Sequence, residues 1–568
     1  MKILYNKFRL IIILAVIGLY GCADDFLERL PIDDMTDENF WTSENNLQTF
    51  SYDFYPHFFE GYGNGWTWGN FFSGESLNDD FGPSQPSQFV ENVPTSGGGW
   101  NFDYVRRANL FIERIPEAPL TEEAEAHWLG VARFFRGMEY ARLVRRFGDV
   151  PYFDRTVSSE DKEELYRPRE SRVTVMQKVL EDFEFAAENV RKSVDNDGLE
   201  VNRGVVLAFM SRIFLWEGTW QKYHDVENEQ SVKFLEAARD AADMLMSQFD
   251  YQIVSDYRGM FNSLSLSGNQ EVILYRSYES GVVTHCLHTY NAYEPQTGAS
   301  KDLLESYLAL DGLPVDLSSQ YQGDDGIDNV MANRDPRIHD VFVDELRING
   351  VSSNYSTTGY ATHKFLNEDI IDDVIGTNAF NPTDAPIIRF GEVLLNYVEA
   401  CAELGELTQD DLDRSINQLR RRYPDEVRLP DLELIGDEPA VNGVVFDDPK
   451  RDEDVSSIIW EIRRERRIEL VFEGFRNSDL RRWKKLEYTD TRDSDINRGA
   501  YIKASDYPDM TNVVIEDGAE EGYIVPAYRE ESQRRFNDER VYLFPLPVDQ
   551  IALYRDNGFV LEQNPGWE

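Results

Sequence analysis

Apolar residues recur at three- and four-residue spacing along much of this chain, which is the pattern of amphipathic helices. Val105, Ala108 and Ile112 lie on one face of a helix predicted over 103–114. Further helices are predicted over 121–147, 171–190, 203–216, 231–249, 389–405, 410–422 and 454–475. Helices of this length that follow one another in pairs predict a mainly α fold of tetratricopeptide-like hairpins, in which each hairpin buries its apolar face on the next.

Two stretches interrupt the helical pattern. Residues 60–100 interleave glycines with Trp, Tyr and Phe, which predicts a long loop carrying aromatic rings, and such loops usually serve a function. Residues 251–385 mix loops with a short β-compatible run at 271–275 and form a loop-rich insert. No Ser/Pro-rich linker separates these parts, so we predict one co-folded unit with an N-terminal helical part (about 22–310) and a C-terminal part (about 311–568).

The N-terminus has the pattern of an export signal. Basic but no acidic residues precede an uninterrupted apolar run over 10–20, which is too short to span a bilayer as a helix. Gly21 and Cys22 resemble the lipobox of bacterial lipoproteins, in which the cysteine becomes the acylated N-terminus. The two aspartates that follow resemble a surface-export tag of Bacteroidetes lipoproteins. We therefore predict a signal peptide at 1–21 and lipidation at Cys22; the alternative is an ordinary signal peptide cleaved nearby.

Composition limits the class of protein. The chain has 568 residues, with 57 Lys and Arg against 104 Asp and Glu, and a formal net charge of −47. The negative electrostatic field of such a chain repels nucleic acid, so the chain is not a general nucleic-acid-binding protein. Hydrophobic residues make up 41% and aromatic residues 13%, far more than a disordered acidic chain carries. The surplus acid is therefore expected on the surface of a large core.

Several motifs, taken together, resemble the SusD/RagB family of surface glycan-binding lipoproteins. They lie, in family order, at 128–136, 146–151, 333–337, 388–400, 462–476, 479–483, 545–547 and 563–567. The resemblance covers essentially the whole chain after Cys22. Gly391 and Val398 stand where the family usually has alanine, and Trp567 stands where tyrosine is commoner.

The resemblance implies a scaffold of four tetratricopeptide-like units and a function without catalysis. Such proteins are lipid-anchored on the outer face of the cell outer membrane, where they cover a TonB-dependent transporter of the SusC type. They bind oligosaccharides and, in some members, peptides. The resemblance implies no cofactor, and we expect no nucleic-acid partner. The acidic charge makes neutral glycans a more favourable cargo than acidic ones.

Sugar binding requires flat apolar surface for the pyranose ring and a few polar groups for its hydroxyls, and Trp and Tyr supply both. The resemblance implies a binding face built from the loop before the helix at Asp103 and from the mid-chain insert. The glycan-binding candidates are Trp66, Trp68, Asp79, Asp80, Trp100, Asn101, Tyr290 and Tyr293, with Tyr62, Asn78, Tyr278 and Asn291 as supporting positions. The alternative is that most of these rings pack within their own loops. Four other tryptophans are predicted to be core: Trp128, Trp216, Trp460 and Trp483.

Glu465, Glu469 and Glu473 fall on one face of the predicted helix over 454–475. A glycosidase acid and nucleophile pair is one interpretation. Interspersed arginines favour another, because they keep carboxylates ionised, so we predict a structural ion-pair network and no enzyme activity.

Metal signals are weak. His285 and His288 are too few for a metal site. Asp324, Asp325 and Asp328 lack the ligand spacing of an EF-hand, so a solvated acidic turn is predicted and no metal is expected.

Overall fold

In the computed structural model, the described residues are 40–67, 69, 71, 77–196, 198–226, 228–287, 298–348, 356–492, 495–510 and 513–568. The predictions for Trp68, Tyr290, Tyr293, Asn291, His288 and Cys22 concern residues outside these ranges, as does the predicted signal peptide. Among the described residues, no helix is long and apolar enough to cross a membrane.

The fold is mainly helical, as predicted. Its α-helices are α1 (Glu44–Ser51), α2 (Tyr55–Phe58), α3 (Asp103–Arg114), α4 (Glu122–Phe147), α5 (Lys162–Leu165), α6 (Arg172–Asn189), α7 (Arg203–Tyr223), α8 (Asn228–Gln248), α9 (Gly259–Asn262), α10 (Lys301–Ser306), α11 (Ile327–Met331), α12 (Arg337–Val341), α13 (Phe390–Leu404), α14 (Gln409–Asp413), α15 (Ile416–Arg420), α16 (Ser457–Glu469), α17 (Arg476–Arg482) and α18 (Val548–Asp556). Single 3-10 turns occupy Tyr52–Phe54, Ile115–Glu117, Glu368–Ile370, Val374–Gly376, Leu486–Thr489, Ala504–Asp506, Glu516–Gly518, Glu530–Ser532 and Glu539–Tyr542.

The long helices pack against one another, and several helices that are close in sequence are also neighbours in space. The pairs α4–α6, α7–α8 and α8–α13 make the most extensive contacts, and α13 also packs on α16. Local signals set the helix ends. The Thr121 hydroxyl accepts a hydrogen bond from the Ala124 amide at the start of α4, and Gly148 ends that helix with a φ of +74°.

Three predicted helices differ from the observed ones. Helix α7 extends beyond residue 216 to Tyr223, because Trp216 and Trp220 are both buried on its face. Helix α16 ends at Glu469 rather than at 475, because Phe472 and Gly474 adopt φ values of +62° and +84° that no helix allows. The stretch 410–422 divides into the short helices α14 and α15.

Strands are few and short. β1 (Val272–Arg276) pairs with β2 (Ala385–Arg389) in an antiparallel ladder with irregular register. β3 (Glu433–Ile435), β4 (Glu438–Val441) and β5 (Val444–Val445) form an antiparallel three-stranded sheet. β6 (Tyr501–Lys503) pairs with β7 (Glu521–Tyr523), again antiparallel.

A single large hydrophobic core joins both ends of the described chain. It contains residues from Trp41 to Leu561, and helices of the first and last thirds contribute to it together. A second cluster fills the mid-chain insert and reaches Ile468 and Phe472 next to the end of α16. The insert is therefore packed against the helical scaffold, and this packing supports its loops.

Candidate functional site

The glycine-rich loop after α2 is an ordered turn in its described residues. Gly61, Gly63 and Gly65 all have positive φ. At Gly63 (φ +80°) a side chain is also excluded by space, because a Cβ would lie 2.5 Å from the Thr67 hydroxyl. That hydroxyl accepts a hydrogen bond from the Asn64 amide at 2.8 Å and closes the turn. The glycines thus shape the loop that presents Trp66.

This loop lies against the mid-chain insert. The Gly65 amide donates to the Thr284 carbonyl at 2.8 Å, and the Tyr278 hydroxyl donates to the Gly63 carbonyl at 2.8 Å. The Cys286 thiol contacts the Thr67 carbonyl at 3.4 Å. Two loops that are distant in sequence therefore form one surface.

A third segment, which the sequence did not indicate, completes this surface. His285 and Asn381 exchange backbone hydrogen bonds of 3.0 and 3.1 Å, and the Thr284 hydroxyl donates to the Ala379 carbonyl at 2.6 Å. Buried Asp384 accepts from the Tyr278 amide at 2.8 Å. We call the described residues of 60–67, 276–287 and 374–385 the loop platform.

Exposed apolar side chains mark the loop platform. Trp66 is 61% exposed, Phe380 is 52% exposed, and Val282 and Val374 are exposed as well. Tyr62 and Tyr278 are instead buried, with rings about parallel and centroids 6.4 Å apart, so these two supporting candidates hold the platform from within. Phe380 had no sequence signal, because a single phenylalanine in a loop does not show whether its ring is exposed or packed.

Asp79 and Asp80 were predicted to accept hydroxyl protons from a ligand, but the structure places both in the interior. Each is 2% exposed. Arg476 donates to Asp79 at 2.6 and 2.7 Å, and Arg467 donates to Asp80 at 2.8 Å. Burial alone raises the pKa of Asp79, but the two arginines outweigh it and lower that pKa to about 2. These carboxylates fix the loop, and we remove them from the ligand-binding set.

Trp100 and Asn101 lie apart from the loop platform, at the start of α3. Trp100 is 8% exposed and packs edge-on against Phe147, with ring centroids 5.0 Å apart. The exposed Asn101 side chain accepts from the Asp103 amide at 2.7 Å and thereby supports the first turn of α3. Both residues line a cavity of about 590 Å³ whose walls also include Tyr166 and Tyr554. None of the residues that line this cavity belongs to the loop platform.

The predicted ion-pair network exists, and it is larger than the sequence suggested. Ten buried residues form it, and we call them the buried ion-pair cluster: Glu271, Asp335, Arg337, Lys364, Arg389, Arg420, Arg422, Glu465, Glu469 and Glu473. Arg389 contacts Glu469 at 2.7 Å and Glu473 at 2.8 Å, and Arg422 contacts Glu469 at 2.6 Å. Glu473 belongs to the cluster although it lies beyond the end of α16.

The arginines that hold these glutamates are not the ones adjacent to them in sequence. Arg466 pairs with Asp479, and Arg467 pairs with Asp80 and Asp302. Burial raises the pKa of Glu469, but Arg422, Arg389 and Arg337 outweigh it and lower the pKa to about 2. A carboxylate held in this way is ionised and cannot act as a general acid near neutral pH.

The other tryptophans divide. Trp128, Trp216 and Trp483 are buried as predicted, but Trp460 is only partly buried, so its assignment to the core is wrong. Its indole donates to Asp448 at 3.0 Å and, with Tyr488, forms a wall of an acidic cavity of about 500 Å³. The helical stripe predicted burial, but part of this side chain faces the cavity.

The weak metal candidates have structural partners. His285 is buried and contacts the Thr383 carbonyl at 3.0 Å. Asp325 pairs with Lys503, and Asp324 accepts a hydrogen bond from Tyr523. Within the described ranges, no group of three or more His, Cys, Asp or Glu residues is arranged to hold a metal ion.

Comparison with known proteins identifies the family. The model of the SusD family matches residues 275–567, and a second model, described as starch-binding associating with outer membrane, matches residues 84–215. SusD-like protein P38 of Formosa agariphila is 23% identical over 497 residues, which are 84% of this chain and 90% of that protein.

Solved structures share the fold. A SusD-like carbohydrate binding protein of Bacteroides fragilis has a TM-score of 0.66 at 21% identity, with 90% of this chain and 98% of that chain covered. A laminarin binding SusD-like protein has a TM-score of 0.56 at 16% identity, with 92% and 98% covered. At these identities the structural likeness extends to the fold alone.

Proposed function

This chain belongs to the SusD family, and we propose that it is a non-catalytic, lipid-anchored protein of the outer cell surface that binds an oligosaccharide or polysaccharide and passes it to a SusC-like TonB-dependent transporter. The observation that carries the binding function is the exposed indole of Trp66, on a loop whose backbone is bonded to a second loop at Thr284. A flat ring held on a firm base offers the apolar face that a pyranose needs.

The binding site in this proposal is the loop platform, with Trp66 and Phe380 as ring contacts and Trp68, Tyr290 and Tyr293 as further contacts from the same two loops. Trp100 and Asn101 belong to a separate cleft and contribute a secondary contact at most. The lowered pKa values of Glu465, Glu469 and Glu473 support the non-catalytic part of the proposal, because a carboxyl that stays ionised near neutral pH is no proton donor for glycoside cleavage.

Binding is tested with a panel of neutral polysaccharides, including laminarin, and with mixed peptides, by affinity electrophoresis and titration calorimetry. Trp66→Ala is expected to weaken glycan binding about tenfold or more, since aromatic anchors dominate such contacts. Tyr528→Ala removes a ring that is 51% exposed outside the loop platform and serves as the matched control. Unchanged glycan binding in a Trp66→Ala, Phe380→Ala double variant would refute the proposed site. Binding of peptides but of no glycan would refute the proposal that the ligand is a glycan.

The absence of catalysis and the anchoring are tested separately. Incubation with the bound glycan is expected to release no reducing ends; turnover that is lost in Glu469→Gln would overturn the proposal.

Cys22→Ala is expected to move the protein from the outer-membrane fraction to the soluble fraction, because the acyl chains supply the anchor. Affinity purification of the lipidated protein from outer membranes is expected to recover a TonB-dependent transporter.

A further inference from the structure

A cavity of about 240 Å³ lies between α4, α7, β2 and α17, and one arginine that lines it has no ion-pair partner among the described residues. That cation is Arg145 on α4. Its Nη2 donates to the Ser478 hydroxyl at 2.6 Å, and its guanidinium lies 5.0 Å from the Trp216 ring centroid. In the part of the chain that the structure describes, Ser478 is the only hydrogen-bond acceptor that Arg145 reaches, and no carboxylate lies within ion-pair distance of it.

The other arginines that line this cavity are neutralised. Arg212 pairs with Glu392 at 2.6 Å, and Arg466 pairs with Asp479 at 2.9 Å. Arg482 pairs with Glu399 at 2.5 Å and also holds Asp479. Each of these carboxylates is therefore already engaged by another arginine, and Asp479 acts on Arg145 only from beyond ion-pair distance.

This arrangement places a positive charge without a direct ion-pair partner in a partly desolvated site, although Asp479 and Glu217 act on it from a distance. Burial and the neighbouring charge of Arg212 lower the pKa of Arg145 to about 10. An arginine with free donors and no counter-ion beside a cavity is a receptor for an oxyanion, because its planar fork matches a carboxylate or sulfate group.

The cavity also has apolar walls and a defined position. Phe58 and Phe475 line it and are partly buried, so they offer rings to a ligand that bears the anion. Glu60 and Gly61, the first residues of the loop that presents Trp66, line it as well. The volume lies below the range of about 300–1,000 Å³ typical of drug-sized ligands, which fits one sugar unit.

We propose that this cavity binds the carboxylate or sulfate group of a single acidic sugar residue, with Arg145 and Ser478 as its polar contacts. The proposal rests on the glycan-binding function and deepens it by naming a substrate class. The net negative charge of the whole chain favours neutral glycans. The cavity next to the loop platform is a local site that favours an acidic sugar instead.

The test compares three probes on the intact protein by calorimetry and by melting temperature: methyl glucuronide, inorganic sulfate and methyl glucoside. We expect methyl glucuronide to bind, sulfate to bind more weakly and methyl glucoside not to bind. Arg145→Gln is expected to weaken glucuronide binding about ten- to a hundredfold, since charge-assisted hydrogen bonds contribute on that scale. Arg555→Gln, an equal charge change on α18 at a side chain that is 74% exposed, is the matched control and leaves binding unchanged.

Ser478→Ala provides a second variant that preserves the charge and is expected to weaken glucuronide binding by a smaller factor. Unchanged glucuronide affinity in Arg145→Gln would overturn the site, and sulfate binding without glucuronide binding would overturn the acidic sugar. Trp66→Ala distinguishes this inference from the proposed function. It is expected to abolish binding of long neutral glycans while leaving the monosaccharide glucuronide bound, so that either proposal can fail alone.

Discussion

The buried ion-pair cluster and the loop platform hold most of the side chains that suggested chemistry, and they use them in opposite ways. In the cluster, Glu469 is 0% exposed and contacts arginines from three other parts of the chain. On the loop platform, Trp66 is 61% exposed and its loop is held by backbone hydrogen bonds. The charged groups of the cluster pair with one another and hold elements of the fold together. The platform instead exposes the ring of Trp66 to a ligand.

This difference shows that buried carboxylates can serve the fold rather than acid-base chemistry. A catalytic acid needs a raised pKa and access to substrate. Glu465, Glu469 and Glu473 have lowered pKa values and are buried. The two regions differ in whether their side chains are buried or exposed to solvent, and the presence of a residue in a sequence motif does not show this.

Removal of one cluster arginine is expected to have the largest effect. Arg389→Met leaves Glu271, Glu469 and Glu473 short of positive charge in the interior, and such a loss costs about 3–5 kcal/mol of unfolding free energy. Urea denaturation measures it. Arg421→Met breaks a partly exposed pair with Asp431 and is expected to cost less than about 1 kcal/mol. Equal losses in the two variants would contradict the distinction.

Trp100→Ala tests whether that candidate behaves as core or as binding surface. Because Trp100 is 8% exposed and packed on Phe147, its truncation is expected to cost about 3 kcal/mol of unfolding free energy. Asn101→Ala is expected to cost about 1 kcal/mol, as the loss of a helix-start hydrogen bond does. A Trp100→Ala variant of normal stability that no longer binds glycan would move the binding site to this cleft.

Acid is expected to weaken the cluster and spare the platform. The pKa of Glu469 in the folded protein is about 2, below its ordinary value of 4.5. The stability it contributes is therefore fully present above about pH 5 and is lost as the pH falls towards 2. The difference in unfolding free energy between wild type and Glu469→Gln is expected to shrink over this range. A difference that grows as the pH falls would reverse the assigned sign.

Gly391→Ala tests a departure from the family pattern. Alanine is normally about 1 kcal/mol better than glycine inside a helix. Here a Cβ would lie 2.5 Å from Arg389 Nη1 and 3.0 Å from Glu271 Oε1, so the cluster occupies the space of the side chain. We expect Gly391→Ala to lower the unfolding free energy by about 1–3 kcal/mol. Stabilisation by alanine would mean that the cluster relaxes easily around it.

The smallest effect on stability is expected on the platform. Trp66→Ala removes an exposed ring and is expected to change the unfolding free energy by less than about 0.5 kcal/mol. Thermal melting beside Trp100→Ala measures the contrast between an exposed and a buried tryptophan. A large loss in Trp66→Ala would show that its ring supports the loop rather than a ligand.

The sequence by itself determined the family, the mainly α fold and the helices with strong periodicity, because these depend on patterns that each segment carries alone. Helix α3 was predicted at its observed bounds, since its apolar stripe and its boundaries are local. The ionised state of Glu469 was also predictable in kind, because arginines are abundant near it in the chain.

Only the tertiary structure decided which groups meet. The neighbours of Glu465 and Glu469 in sequence point away from them, because adjacent helical residues face different directions, and arginines from β2, α12 and the region of α15 took their place. Four features depend on contacts between segments that are distant in sequence: the burial of Asp79, the partial exposure of Trp460, the contact of Gly65 with Thr284 and the unpaired charge of Arg145. Exposure and pairing are properties of the assembled chain, so local patterns name the candidates and packing assigns their roles.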